Sequence, residues 1–362
     1  MVRGFVMQHM KKIALSFFVT AFVGANLYCT PSRGSESRPV ASTPVSQTDA
    51  TSHPPEPSAA KQTSRKTIAT YDPNTVIADH LVAKESILRR IPKEAIERAK
   101  KKLVVLFNGT SHTSQVTWGM KGLEQYKPGD DVLFKMAFNV ENPTSGLEIR
   151  AGHIAGDDLS NDGVDANGHT AYFRHTVKYL DAHRDVNVVV WGWCDSYGHD
   201  VDIYLRNYGE LIEMYRAGGK RGRTKADAVQ FVFMSAHANG ELGDRPGIKT
   251  SPYNITKAIR EYCKKHGYFM IDYWNQDTHA YDDNRYDPNE SGDVNKQHYK
   301  YVQTHQKGRD WFPCRNPVTG QIEYPAHADS NQKYAQHLTG NIRAYAAWWV
   351  WARLAGWDGR LQ

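Results

Sequence analysis

Residues 103–113 read LVVLFNGTSHT, a run of five apolar side chains that breaks into Asn-Gly-Thr-Ser-His-Thr. An unbroken apolar run of that length, closed by Asn108-Gly109, predicts a strand buried on both faces rather than one with a wet side. The pattern recurs at Val186–Trp191 (VNVVVW), Val229–Met234 (VQFVFM) and Tyr268–Asp272 (YFMID), with a weaker copy at Leu147–Arg150. Helical stretches fall between these runs, near 169–183, 200–217, 252–266 and 331–354. Pro92-Lys93-Glu94 opens a shorter helix, with the proline in the first turn, where a missing N–H costs nothing. Strands alternating with helices predict an α/β domain with a mostly parallel central sheet.

In such sheets ligands bind beyond the carboxyl ends of the strands, so the residues that follow each strand carry the functional information. The first strand is followed by Asn108-Gly109-Thr110-Ser111-His112-Thr113 and the weak one by Ala151-Gly152-His153-Ile154-Ala155-Gly156-Asp157-Asp158. The next two end in Trp191-Gly192-Trp193-Cys194-Asp195-Ser196 and Ser235-Ala236-His237-Ala238-Asn239-Gly240. Near the C-terminus, Tyr324-Pro325-Ala326-His327-Ala328-Asp329-Ser330-Asn331 precedes the last helix. Small or titratable residues crowd every one of these edges.

Upstream of the folded region the chain has a different character. Lys11 and Lys12 precede the apolar run Ile13–Ala25, which is short for a membrane span and reads as a secretory signal peptide, with Ala25 suited to cleavage. Cys29 supplies a second reading, the lipidated first residue of a bacterial lipoprotein, which would attach the protein to a membrane. Residues 30–66 hold six of the sixteen prolines and no aromatic residue, a composition that predicts a disordered tether. The expected organisation is a leader over 1–29, a tether over 30–66 and a domain over 67–362, placing the protein in the periplasm, at the cell surface or outside the cell.

The formal net charge is +6, yet residues 1–66 carry eight basic and three acidic side chains, leaving 37 against 36 in the remainder. A nucleic-acid partner is not expected of so evenly charged a domain. Four cysteines, at 29, 194, 263 and 314, include no CxxC pair and no close Cys/His spacing, so no metal or other cofactor is expected. In an exported chain Cys263 and Cys314 could pair.

A hydroxyl nucleophile needs a base and donors for the oxyanion that follows its attack. Ser111 can be that nucleophile if Gly109 lets its turn close tightly. The competing role for a serine after a strand is a helix cap. Gly156 can offer an unobstructed N–H, and His327 is a candidate base.

The order of these blocks resembles the SGNH/GDSL hydrolase family over about residues 103–357. Gly109-Thr110-Ser111 stands where that family has Gly-Asp-Ser. Ile154-Ala155-Gly156-Asp157 stands at its second block, Gly192-Trp193-Cys194-Asp195 at its Gly-x-Asn-Asp block, and His327 at its last. The closing RAYAAWWVWARLAGWDG is similar to the ending of secreted bacterial hydrolases of this type. The resemblance implies a three-layer, flavodoxin-like fold with Ser111 as nucleophile, His327 as base and Gly156 in the oxyanion hole. The family's oxyanion-donating Asn is replaced here by Cys194, so His237 or Asn239 would have to supply that donor. The family's Asp is replaced by Tyr324, leaving Glu323 or Asp329 to orient the base. The implied activity is removal of an acyl group from a small-molecule or polysaccharide ester.

Two other readings stay open. His153, Asp157, Asp158, Asp162 and His169 could form the site of a metal-dependent hydrolase. A glycan-binding or adhesin-like module on a decayed hydrolase fold is the other, favoured by the missing Asn and Asp. Trp348, Trp349 and Trp351 on the last helix read as core. Residues 275–325 show no clear strand and read as an insertion that covers the site.

Overall fold

The computed structural model describes residues 70–109, 111–152, 158–240, 249–323 and 335–362. The leader and tether expected over 1–66 lie outside the described residues. Seven strands form one sheet, all parallel, in the order β1-β7-β6-β5-β2-β4-β3. They are β1 (Ile77–Ala78), β2 (Val104–Asn108), β3 (Met136–Phe138), β4 (Leu147–Ala151), β5 (Val188–Trp191), β6 (Gln230–Met234) and β7 (Met270–Ile271). Leaving aside the short edge strands β1 and β3, the order is 2-1-3-4-5, the doubly wound arrangement whose switch point lies between β2 and β5.

The apolar runs are buried on both sides because each strand sends alternate residues into two cores. Val105, Phe107, Val188, Val190, Val232 and Met234 enter one core with helices α1 (Glu85–Leu88), α2 (Lys93–Lys102), α3 (Gln115–Leu123) and α10 (Ala335–Leu354). Leu106, Val189, Trp191, Phe231 and Phe233 enter the other with α5 (Ala171–Ala182), α6 (Val201–Tyr215) and α7 (Pro252–His266). Helices thus cover both faces, giving three layers. Local signals set the helix starts: Thr170, Asp200 and Ser251 each accept a hydrogen bond from a first-turn N–H, and Gly267 ends α7 at φ +73°. Short helices α4 (Asp130–Leu133), α8 (Tyr273–Asp277) and α9 (Lys296–Thr304) complete the described elements.

The final helix is buried along nearly its whole length, and Trp348, Trp349 and Trp351 are core residues as expected. It crosses α3 at a backbone contact that only glycine permits. A Cβ added at Gly119 would lie 1.8 Å from the Gly340 carbonyl oxygen, and one at Gly340 would lie 2.3 Å from the Cys314 sulfur. The sequence reading missed α3, β1 and β3, and the short helices α1, α4, α8 and α9. It also left a Cys263–Cys314 bridge open; no disulfide joins the described cysteines, Cys263 lying in the α7 core and Cys314 against α10. No helix among the described residues is long and apolar enough to cross a membrane.

Two consequences are measurable. Gly119→Ala must push α3 off α10, and overpacking of this kind costs about 1–3 kcal/mol; an unchanged denaturation midpoint would contradict the crossing. His298, buried on α9 with Nδ1 2.8 Å from Thr339 Oγ1, is pushed down to about 4 chiefly by burial, and His337 on α10 likewise. Both folded values lie below the ordinary 6.5, so protonation favours the unfolded chain. Their stabilisation is complete above pH 6.5 and is lost as pH falls through about 4. His298→Asn should flatten the acid limb of a melting-temperature profile, and an unaltered slope would remove His298 from its cause.

Candidate functional site

The switch point places the loops after β2 and β5 side by side, with the loop after β6 next in line. Beyond β2 the chain makes one tight 3-10 turn, Ser111–Ser114, before α3. Gly109 is required there, since a Cβ would sit 2.1 Å from Thr113 Oγ1. Ser111 has φ +54°, in the left-handed region that a side chain with a Cβ enters only at a cost in strain. It does not cap α3: its hydroxyl oxygen is buried and without a hydrogen-bond partner among the described residues. The turn is held from outside, by Tyr273 of α8, whose hydroxyl donates to the Thr113 carbonyl at 2.9 Å. Three residues before Ser111, the Asn108 side chain is buried at the end of β2 with both amide atoms unpartnered among the described residues.

The next residue, His112, is the centre of a cluster that the sequence reading did not assemble. Its Nδ1 is 3.2 Å from Cys194 Sγ, beyond β5, and its Nε2 is 2.7 Å from Asp293 Oδ1. The ring stacks on His237, from the loop after β6, with centroids 3.9 Å apart. One donor atom from each of His112, Cys194 and His237 lies within 4.8 Å of the other two. Burial, and after it the neighbouring His237, pushes His112 down to about 4, against the opposing pull of Asp293. The imidazole is therefore neutral at neutral pH, and a weak base toward a thiol.

Asp293 belongs to the 275–325 segment expected to cover the site, and this part of that segment does reach it. Gln336 of α10 donates to the Gly292 and Asp293 carbonyls at 2.7 and 3.0 Å and accepts from Gln115 of α3 at 2.6 Å. Gly292 has no room for a side chain, because a Cβ would lie 2.6 Å from that of His237. The loops after β5 and β6 are also joined to each other. Asn239 donates to Asp195 at 3.2 Å, and the His237 N–H donates to the Cys194 carbonyl at 3.4 Å.

Of the residues singled out by sequence, the structure brings Cys194, His237 and Asn239 to one sheet edge with Ser111. One Asn239 amide hydrogen is committed to Asp195. Glu323 accepts from Asn316 at 3.1 Å within its own loop. Gly156, Tyr324, His327 and Asp329 lie outside the described residues, as do His153 and Asp157. Of the acidic set weighed as a metal site, Asp162 faces His199 and His169 pairs with Glu210. His112 and Asp293 were missed because nothing local marks them; they meet across 181 positions of chain.

No family model, no curated protein and no solved structure matches this chain, so the residues and their geometry carry the functional reading by themselves.

Proposed function

We infer that this chain is an exported serine ester hydrolase of SGNH type, which removes acyl groups such as acetyl from a carbohydrate or other extracellular ester. The observation that carries this reading is Ser111. A serine in a strained left-handed conformation, on a glycine-dependent turn at the switch point of a parallel sheet, has its hydroxyl buried and without a hydrogen-bond partner among the described residues. Strain held in place by surrounding contacts points to function rather than to packing, because a relaxed backbone would serve packing better.

The reaction follows from the roles the SGNH resemblance assigns. Ser111 Oγ attacks the ester carbonyl carbon while His327 accepts its proton. The Gly156 and Ser111 N–H groups hold the oxyanion, and His327 returns the proton to the leaving alcohol. Water then enters by the same route and releases the acid, restoring Ser111. With Cys194 in place of the family's Asn, the amide of Asn108, unpartnered among the described residues and three positions before Ser111, is a donor that could take that part.

Treatment of the full chain with a serine-directed fluorophosphonate should label one residue, Ser111, and Ser111→Ala should abolish both the label and ester turnover, by about a thousandfold or more. A folded protein that takes up no label would overturn the nucleophile and leave the glycan-binding module as the better account.

A further inference from the structure

We propose that His112, Cys194 and His237 form a three-ligand site for a zinc-class divalent cation at the sheet edge that carries Ser111. The three ligands come from the ends of three adjacent strands, β2, β5 and β6, so the sheet itself fixes their spacing. Zinc bonds of about 2.0–2.1 Å to nitrogen and 2.3 Å to sulfur place tetrahedral N and S ligands about 3.5 Å apart. His112 Nδ1 and Cys194 Sγ are 3.2 Å apart, and all three donor atoms fall within 4.8 Å. Small side-chain rotations close such a set on one ion.

The second observation is how the imidazoles are held. A ligating histidine generally donates its other ring N–H to a carboxylate or a backbone carbonyl, which fixes its tautomer and aims its lone pair. Both rings have that arrangement. Asp293 accepts from His112 Nε2 at 2.7 Å, leaving Nδ1 with the lone pair. The Ala238 carbonyl accepts from His237 Nδ1 at 2.6 Å, leaving Nε2. Each acceptor is itself fixed, since Gln336 holds the backbone at Asp293 and the Gly292 N–H donates to the Ala238 carbonyl at 2.8 Å. A thiol–imidazole–carboxylate relay would use Cys194, His112 and Asp293 but would give His237 no part.

The donor chemistry narrows the ion. A thiolate with two imidazoles suits zinc and disfavours magnesium or calcium, which prefer oxygen. Three protein ligands are the number seen where zinc keeps a position for water or substrate. On binding, Cys194 releases its thiol proton to solvent and becomes the thiolate ligand.

The test uses the full chain, stripped with a chelator and titrated with zinc, and with cobalt(II) as a spectroscopic stand-in. We expect one zinc per chain, a thiolate-to-cobalt charge-transfer band, and protection of Cys194 from alkylation, mapped by peptide. Cys194→Ser and His237→Asn should weaken zinc binding by about a hundredfold, and Asp293→Asn by about tenfold. Ser111→Ala should bind zinc unchanged, which separates this site from the serine reading. Cobalt bound without a thiolate band, or Cys194 alkylated equally fast with and without zinc, overturns the site in the wild-type protein, whether or not the variants fold. Rapid alkylation with no metal taken up would instead favour the thiol relay.

Discussion

A guanidinium and a carboxylate with no access to water hold this molecule's working edge together. Arg343 of α10 and Asp277 of α8 pair at 2.6 Å, both side chains fully buried. Neither charge is tolerable there alone: removing one partner from such a pair typically costs about 3–5 kcal/mol, because the other is left uncompensated. The pair is reinforced by Gln276, which accepts from Arg343 at 2.7 Å, and by the Tyr273 ring 3.8 Å beneath the guanidinium. Both extra partners lie on the same five-residue helix, so Arg343 fixes all of α8 rather than one side chain.

What hangs from α8 is the site. The second Asp277 oxygen accepts from the Ala238 N–H at 3.0 Å, holding the loop that carries His237. Tyr273 holds the Ser111 turn through Thr113. Asn295, at the start of α9, donates to the Asp277 carbonyl at 2.8 Å and so ties down the segment that bears Asp293. Three loops that carry polar chemistry thus converge on one charge pair, while the apolar cores on either side of the sheet fix the strands from which two of them spring. Bonds in a buried polar network are stiff because each is made in a low dielectric and no water competes for it, and here every named bond is of that kind, though Arg343 Nε has no partner among the described residues. Stiffness of that kind is what a strained serine and two closely stacked imidazoles require.

The strands were legible because a parallel sheet covered on both faces demands long apolar runs, and these occur four times with little ambiguity. Val104–Asn108 and Gln230–Met234 lie within one residue of the runs that announced them. Helix α7 was legible to the residue, since Ser251-Pro252 and Gly267 are strong start and stop signals. The missed elements fail for identifiable reasons. Strands β1 and β3, at two and three residues, are too short to show a period. Helix α3 carries Gly119 and Gly122, which look like helix breakers until the backbones pressed against them are seen. The site was legible only in part. Ser111 stood out through its place after a strand, and Cys194 and His237 through theirs. The bonds that join them depend on which strands become neighbours, which the order 2-1-3-4-5 decides and no local pattern reveals.

The same topology explains why two chemistries lie so close. In a doubly wound sheet the chain leaves the switch point in opposite directions, and the loops after the two central strands, here β2 and β5, end side by side at one sheet edge. Ser111 and His112 are consecutive residues of one tight 3-10 turn. The 3.2 Å approach of His112 to Cys194 turns that side chain toward the β5 loop, and the Ser111 hydroxyl is left unbonded among the described residues. The turn that carries both residues is held by Tyr273 through the Thr113 carbonyl and made feasible by Gly109.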